Sequence, residues 1–76
     1  MKDTLVYLLK SIVENPDDIV VDEVVEETKT LLTVHANQAD IGKIIGKQGR
    51  IIRALRDLVK LIAAKHNVYV DIVIAE

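Results

Sequence analysis

The chain has 76 residues, half of them apolar, and no cysteine. Disulfide bonds and thiolate metal sites are therefore excluded, and we expect one small domain that rests on an aliphatic core. The formal net charge is −2, but the charges are unevenly spread. Residues 1–40 carry three lysines and nine acids, a net charge of −6, whereas residues 41–65 carry seven cations and one acid, a net charge of +6. Because the local field steers a polyanion more than the total charge does, residues 41–65 are a candidate surface for nucleic acid.

The N-terminal stretch is apolar but does not fit a signal peptide. Lys10 and Glu14 interrupt it, and no small-residue cleavage site follows. No apolar run approaches the roughly 18 residues that a membrane-spanning helix needs. We therefore expect a cytoplasmic protein without membrane association, with a single domain over residues 1–76.

The first half of the chain predicts a helix followed by a β-hairpin. Residues 3–14 have apolar side chains at helical spacing, with Asp3 or Thr4 available to cap the first turn, and the residue before Pro16 avoids helical dihedral angles. The segment 18–26 is rich in β-branched residues, and the segment 29–36 alternates between apolar and polar residues. Both segments are therefore predicted strands, joined by a tight turn.

The second half predicts two helices and a last strand. Residues 38–45 form a short helix, residues 50–65 the longest helix, and residues 68–75 a strand. The longest helix has one wide apolar stripe suited to a core; its members are Ile51, Ile52, Leu55, Leu58, Val59 and Ile62. Its opposite face carries Arg53, Arg56 and Lys60.

The element order is α-β-β-α-α-β, which predicts an α+β fold. A strand, two helices and another strand need a right-handed crossover, so the second and third strands should be parallel. The simplest packing places three helices on one face of a three-stranded mixed sheet. The other sheet face would then expose a patch suited to a protein partner or to solvent alone; it comprises Leu31, Thr33, Tyr69 and Val73, with Tyr7 outward on the first helix.

Gly46-Lys47-Gln48-Gly49 lies between the two adjacent helices. Glycines let the backbone approach a phosphate closely, and the N-terminus of the following helix favours an anion. Lys47 adds a positive charge and Gln48 adds hydrogen-bonding groups. A glycine turn between helices needs only one such residue, so two glycines around Lys-Gln favour phosphate contact. Gly42, by contrast, is expected to serve close packing or the helix start.

The stretch IGKIIGKQGRII, in this element order, resembles a KH domain of the second topological type. With the opening MKDTLVYLLKSIVENP, it is similar to the KhpA family of small bacterial RNA-binding proteins. This resemblance implies that the GxxG loop clamps about four nucleotides of single-stranded RNA, with bases in an apolar groove beside the helices. It also implies an RNA chaperone, self-association, pairing with a KhpB/Jag-type KH protein, and roles in cell shape and cell-wall homeostasis.

We predict RNA contacts from three groups of residues. The loop and its flank supply Gly46, Lys47, Gln48, Gly49 and Arg50. The resemblance gives the groove walls as Ile41, Ile44, Ile45 and Ile52, of which the last three also fit the core. Lys43 and Arg53 suit RNA contact and plain solvation equally well, while Arg56 and Lys60 are expected to be solvated.

Other functional classes find little support in the sequence. A nucleotide-binding P-loop fails because Gln48 follows Lys47 and the spacing from Gly42 to Gly46 is too short. Neither His35 nor His66 has a nearby nucleophile, so we expect no enzyme, and we expect no cofactor or metal. Two alternatives stay open: single-stranded DNA as the ligand, and a protein-interaction KH module with little or no RNA binding.

Overall fold

The computed structural model describes residues 1–75 and confirms the predicted order of helices and strands. Three short 3-10 turns lie between the main elements. The elements, in chain order, are α1 (Lys2–Ile12), β1 (Val20–Glu26), β2 (Lys29–His35), α2 (Ile41–Ile45), α3 (Arg50–Ala64) and β3 (Tyr69–Ile74). The turns are Pro16–Asp18, Gln38–Asp40 and Lys47–Gly49.

The three strands form one mixed sheet in the order β1-β2-β3. β1 is antiparallel to β2, and β2 is parallel to β3, as the crossover predicts. The register places Leu32 beside Ile72 and Val34 beside Val21. Because side chains alternate along a strand, these four residues lie on the same side of the sheet, where all four are buried.

The helices cover that buried side, which we call the inner face of the sheet. α1 contributes Leu5 and Leu9 to the core, α2 contributes Ile44, and α3 contributes a row of apolar residues. The α3 row is Ile52, Leu55, Val59 and Ala63. The other side, the outer face, exposes Val24, Tyr69 and Val73. The predicted three-helix, one-sheet architecture is therefore confirmed.

Each helix and strand differs from its predicted bounds by one to three residues at one end or both; the largest difference is in α2, where residues 38–40 form a 3-10 turn before the helix. Two of the shifted starts concern capping and a turn. α1 begins at Lys2, so neither Asp3 nor Thr4 caps it, and its N-cap residue Met1 has no capping side-chain hydrogen bond. β1 begins at Val20 because the chain first makes a 3-10 turn at Pro16–Asp18, in which the Ile19 N–H donates to the Pro16 carbonyl. Proline at the first position fits such a turn because it has no N–H to satisfy.

The apolar stripe of α3 is wider than the core that it faces. Ile51 and Leu58 are 39% and 40% exposed, so the prediction that they belong to the core is wrong. Both residues line a shallow groove of about 350 Å³ between α1 and α3. We call this the α1–α3 groove; it is lined by Leu8, Ser11, Ile12, Arg50, Ile51, Ala54, Leu55 and Leu58.

Candidate nucleic-acid interface

The GxxG segment forms a tight turn between two helices. α2 ends where the Gly46 N–H donates to the Gly42 carbonyl, at 2.9 Å. The Gly49 N–H then donates to the Gly46 carbonyl at 3.1 Å, and the Arg50 N–H donates to the Lys47 carbonyl. The Arg50 N–H at the start of α3 is therefore not free for an anion, because the 3-10 turn uses it. The turn leaves the Lys47 and Gln48 side chains exposed.

The two loop glycines have different physical reasons for being glycine. Both have a positive φ, +77° at Gly46 and +74° at Gly49. A Cβ on Gly46 would lie 2.6 Å from Cγ1 of Ile51, whereas a Cβ on Gly49 would meet no atom within 4 Å. Gly46 therefore allows the close approach of α3, and Gly49 leaves open space at the start of α3.

Gln48 also has a left-handed backbone, with φ of 57° and ψ of 27°. Such a conformation is uncommon for a residue with a Cβ. Arg53, one turn into α3, donates from Nη2 to the Gln48 carbonyl at 2.9 Å. Arg53, which we predicted as an RNA contact or a solvated charge, thus braces the loop, and its guanidinium lies beside the exposed Lys47-Gln48 pair.

The short helix α2 is anchored by the buried carboxylate of Asp40. Its two oxygens accept hydrogen bonds from the Glu14 N–H, the Asn15 N–H and the Asn15 side-chain amide, at 3.0 to 3.1 Å. Burial raises the pKa of Asp40, but these hydrogen bonds and the charge of Lys43 outweigh it, so the pKa lies below its usual value of 3.8. Asp40 therefore fastens the end of α1 to the helix that presents the loop.

Two of the predicted cations have neighbours outside the turn. Lys43 forms a salt bridge of 2.7 Å with Glu14. Arg50, the first residue of α3, lines the α1–α3 groove. Lys47 lies within the turn itself, and Arg53 is the cation that hydrogen-bonds to it.

The predicted groove walls divide into core and surface. Ile44 and Ile52 are 0% and 6% exposed, so they belong to the core. Ile52 thus has little surface for a base, and its burial supports the core role that was its other expected one. Ile41 and Ile45 are half-buried, and Ile45 packs against the core cluster. These two residues keep an apolar surface beside the loop.

Arg56 has a structural role that the sequence does not reveal. It was expected to be solvated, yet it is half-buried, and its Nε and Nη2 both donate to the Ile72 carbonyl at 3.1 Å. This contact joins α3 to β3 across 16 residues of sequence. A stripe pattern along α3 cannot reveal it, because the acceptor is a backbone atom that only the tertiary fold brings near.

Comparison with known proteins decides the family. The model of the family described as KhpA/KhpB, KH domain, matches residues 2–74. The chain belongs to the KhpA/KhpB KH-domain family. It is 43% identical over 67 residues to the RNA-binding protein KhpA of Clostridium perfringens, an alignment covering 88% of this chain and 89% of that one. It is 40% and 38% identical over 76 residues to the RNA-binding proteins KhpA of Chlamydia caviae and Chlamydia pneumoniae, covering 100% of this chain and 97% of each relative.

The family assignment gives the GxxG turn its context. The matched family is a KH-domain family. The match to residues 2–74 includes both helices that flank the turn and all three strands. Among residues 1–75, no helix has the length and apolar character to cross a membrane.

Proposed function

We propose that this KH domain binds single-stranded RNA through the turn Gly46-Lys47-Gln48-Gly49. One observation carries the proposal: the exposed Lys47-Gln48 pair is held in a left-handed turn, braced by Arg53, beside the open space at Gly49. The 15-residue helix α3 begins directly after it, so the positive end of the helix dipole faces the same place. The full-length relatives named RNA-binding protein KhpA support RNA as the ligand.

In this proposal the sugar-phosphate backbone lies across Gly49. Lys47 and Arg53 neutralise phosphates, and Gln48 donates or accepts hydrogen bonds. Ile41 and Ile45 offer the apolar surface against which bases pack. Such contacts are few and largely independent of sequence, so we expect weak binding, about micromolar or weaker, for one domain. Weak, sequence-tolerant binding suits an RNA chaperone, which must release its RNA, and we include that role in the proposal.

Fluorescence anisotropy with a labelled random single-stranded RNA tests the proposal. The test variant is Lys47→Asp with Gln48→Asp, and Asp suits the positive φ of residue 48 because it enters the left-handed region more readily than most residues. The matched control is Lys2→Asp with Gln38→Asp, which changes the same residue types and the same net charge at two exposed positions outside the turn.

We expect the test variant to lose at least about tenfold in affinity and the control to stay close to the wild type, with circular dichroism confirming that both fold. Equal losses in both variants would mean that only the net charge matters. No binding by the wild type would leave the KH module as a protein-interaction domain. Acceleration of the annealing of two complementary RNAs by the wild type, but not by the test variant, checks the chaperone role.

We further propose that the domain pairs with a second KH domain through the α1–α3 groove. Exposed Ile12, Ile51 and Leu58 give this groove an apolar surface, which a small domain does not maintain without a cost in solubility. We take a second copy of this chain as the occupant, because one helix pair can face its own copy across a two-fold axis. A KhpB/Jag-type KH protein would use the same groove in a heterodimer.

Sedimentation velocity at several protein concentrations measures this pairing. We expect Leu58→Lys to remain monomeric at concentrations where the wild type dimerises. Val24→Lys is the control, because Val24 is also exposed but lies on the outer face of the sheet. A wild type that stays monomeric at high micromolar concentration excludes the homodimer, and dimerisation lost equally in both variants would place the contact elsewhere.

A further inference from the structure

The exposed edge of β3 presents the backbone of Ile72 outward. β3 lies at the end of the sheet, with β2 as its one neighbouring strand. The Tyr69 N–H donates to Thr28 and the Ala75 N–H to Val34, both toward β2. Because backbone groups alternate in direction along a strand, the N–H and C=O groups of Ile72 point away from the sheet.

Side chains of the domain itself occupy both of these groups. Oδ1 of Asp71 accepts from the Ile72 N–H at 2.8 Å, and the guanidinium of Arg56 donates two hydrogen bonds of 3.1 Å to the Ile72 carbonyl. These three hydrogen bonds are part-buried. We call Arg56, Asp71 and the Ile72 backbone the edge clip.

The edge clip and the GxxG turn flank the same strip of α3. Arg53 and Arg56 are three positions apart, so they are neighbours on one face of the helix. Arg53 reaches the Gln48 carbonyl in the turn, and Arg56 reaches the Ile72 carbonyl on the strand. A strand of RNA held at the turn and lying along this strip therefore passes the edge of β3 within one or two nucleotides.

If the N–H and C=O groups of Ile72 were free, they could form hydrogen bonds with RNA bases at this place. Each base displays its own arrangement of hydrogen-bond donors and acceptors, and a fixed N–H and C=O pair complements some bases better than others. We propose that Arg56 and Asp71 keep the RNA groove indifferent to base identity by occupying the donor and acceptor of Ile72. The proposal rests on the proposed RNA binding and adds to it the reason for sequence tolerance.

The same contacts have a purely structural reading. Edge strands invite pairing with other strands, and proteins commonly block them with charged side chains. Under that reading the edge clip prevents aggregation and has no influence on which bases bind. The two explanations predict different ratios of affinity among RNAs of different base composition. A substitution that weakens binding to all RNAs equally leaves this ratio unchanged, so the ratio reports base discrimination alone.

The test compares dissociation constants for oligo(A), oligo(C) and oligo(U) of equal length. The clip variant is Arg56→Met with Asp71→Ala, which frees both groups of Ile72 and leaves the net charge unchanged. The matched control is Lys60→Met with Asp57→Ala, which removes one cation and one acid from exposed positions on α3. Neither control residue hydrogen-bonds to Ile72.

We expect the three constants to agree within about threefold in the wild type and in the control. In the clip variant we expect a spread of at least about tenfold, because a well-placed pair of hydrogen bonds to one base discriminates by that much or more. A folded clip variant with the narrow spread of the wild type overturns the proposal, and so does a wide spread in the wild type. A wild type that binds none of the three RNAs overturns the RNA-binding function itself, which is a separate result.

A second variant covers the case in which the double substitution does not fold. Asp71→Ala alone frees the Ile72 N–H and leaves Arg56 in place. We expect faster hydrogen exchange at the Ile72 amide, measured by NMR, together with a spread among the three RNAs intermediate between those of the wild type and the clip variant. Faster exchange with an unchanged spread shows that the edge clip is structural only.

Discussion

Gly46 and Gly49 share a left-handed backbone but differ in what surrounds them. At Gly46 the neighbouring atoms belong to Ile51, including its Cβ at 2.9 Å from an added Cβ, and a Cβ cannot rotate away. At Gly49 the space is open. The sequence pattern of two glycines predicted one shared purpose, phosphate access. The structure adds helix packing at Gly46, which no spacing rule could distinguish.

Substituting these glycines separates packing from access. We expect Gly46→Ala to destabilise the fold most, through the clash with Ile51 added to the backbone strain. Gly49→Ala should cost only the strain of a left-handed residue, about 1 to 2 kcal/mol, but should weaken RNA binding beyond what its stability explains. Gly42→Ala, with no atom within 4 Å of the added Cβ, is the control, and should be neutral or stabilising by up to about 1 kcal/mol.

Urea unfolding followed by circular dichroism measures the three free energies, and anisotropy measures binding. If Gly46→Ala proved as stable as Gly49→Ala, the packing of Ile51 against Gly46 would not limit the turn. Unchanged RNA affinity in a folded Gly49→Ala variant would remove the open space at Gly49 from the proposed site.

Asp40 makes the stability of the domain sensitive to acid. Its folded-state pKa lies below 3.8, because three hydrogen bonds and Lys43 favour the charged form more than burial disfavours it. A group with a lowered pKa stabilises the folded state above its unfolded pKa, and the effect disappears as the pH falls through the folded pKa. The carboxylate therefore contributes fully at neutral pH, and we expect that contribution to decline as the pH falls below about 4 and to be lost once the pH falls below the folded-state pKa.

The Asp40→Asn variant tests this account. Its amide N–H₂ would face backbone donors, so we expect a clear drop in the urea midpoint at pH 7. At pH 2.5 to 3 the difference between variant and wild type should shrink, since the wild type is then losing its charge at Asp40. Glu14→Gln is the control, because it removes the carboxylate that pairs with Lys43 and leaves the backbone donor of residue 14 in place. A pH-independent difference would show that shape alone matters at Asp40.

Periodicity located α1, β2, α3 and β3, which bury residues at regular spacing, whereas β1 was located by its β-branched composition and buries only Val21. In α3 the stripe correctly predicted Ile52, Leu55 and Val59 as core residues. It could not separate Ile51 and Leu58 from them, since exposure there depends on how α1 packs across the helix. The anchoring by Asp40 and the contact from Arg56 were also missed, because their partners lie 25 and 16 positions away in sequence.

Leu55 and Leu58 are the same residue type on one helix, but Leu55 is in the core and Leu58 is at the surface. They are 9% and 40% exposed. We expect Leu55→Ala to cost about 2 to 5 kcal/mol, because it leaves a cavity in the core, and Leu58→Ala to cost less than about 1.5 kcal/mol in the monomer. Urea unfolding at low protein concentration measures both. At high concentration the penalty for Leu58→Ala should grow if the α1–α3 groove is a dimer contact, and it should grow more than the penalty for Leu55→Ala, because Leu55 lines the same groove but is mostly buried.

The acidic and basic residues that are separated along the sequence also lie on different sides of the folded domain. The basic region, residues 41–65, supplies α2, the GxxG turn and α3, on the helical side of the sheet. The acidic residues Asp22, Glu26 and Asp71 alternate onto the outer face, because they pair with or neighbour the outward residues Thr33, Lys29 and Leu31. We therefore expect an RNA that approaches the domain to be attracted to the helices and repelled from the outer face, although the net charge is negative.

Salt dependence measures this separation for the whole molecule. If Lys47 and Arg53 each neutralise one phosphate, the logarithm of the RNA affinity should fall against the logarithm of salt concentration with a slope of about −1.4. Asp22→Asn with Glu26→Gln removes two acids from the outer face. At about 0.15 M salt, charges beyond roughly 8 Å are screened, so we expect that variant to match the wild type there and to bind more tightly only at low salt. A large gain at 0.15 M would mean that RNA also contacts the outer face, and a slope near zero would mean that phosphate contacts do not drive binding.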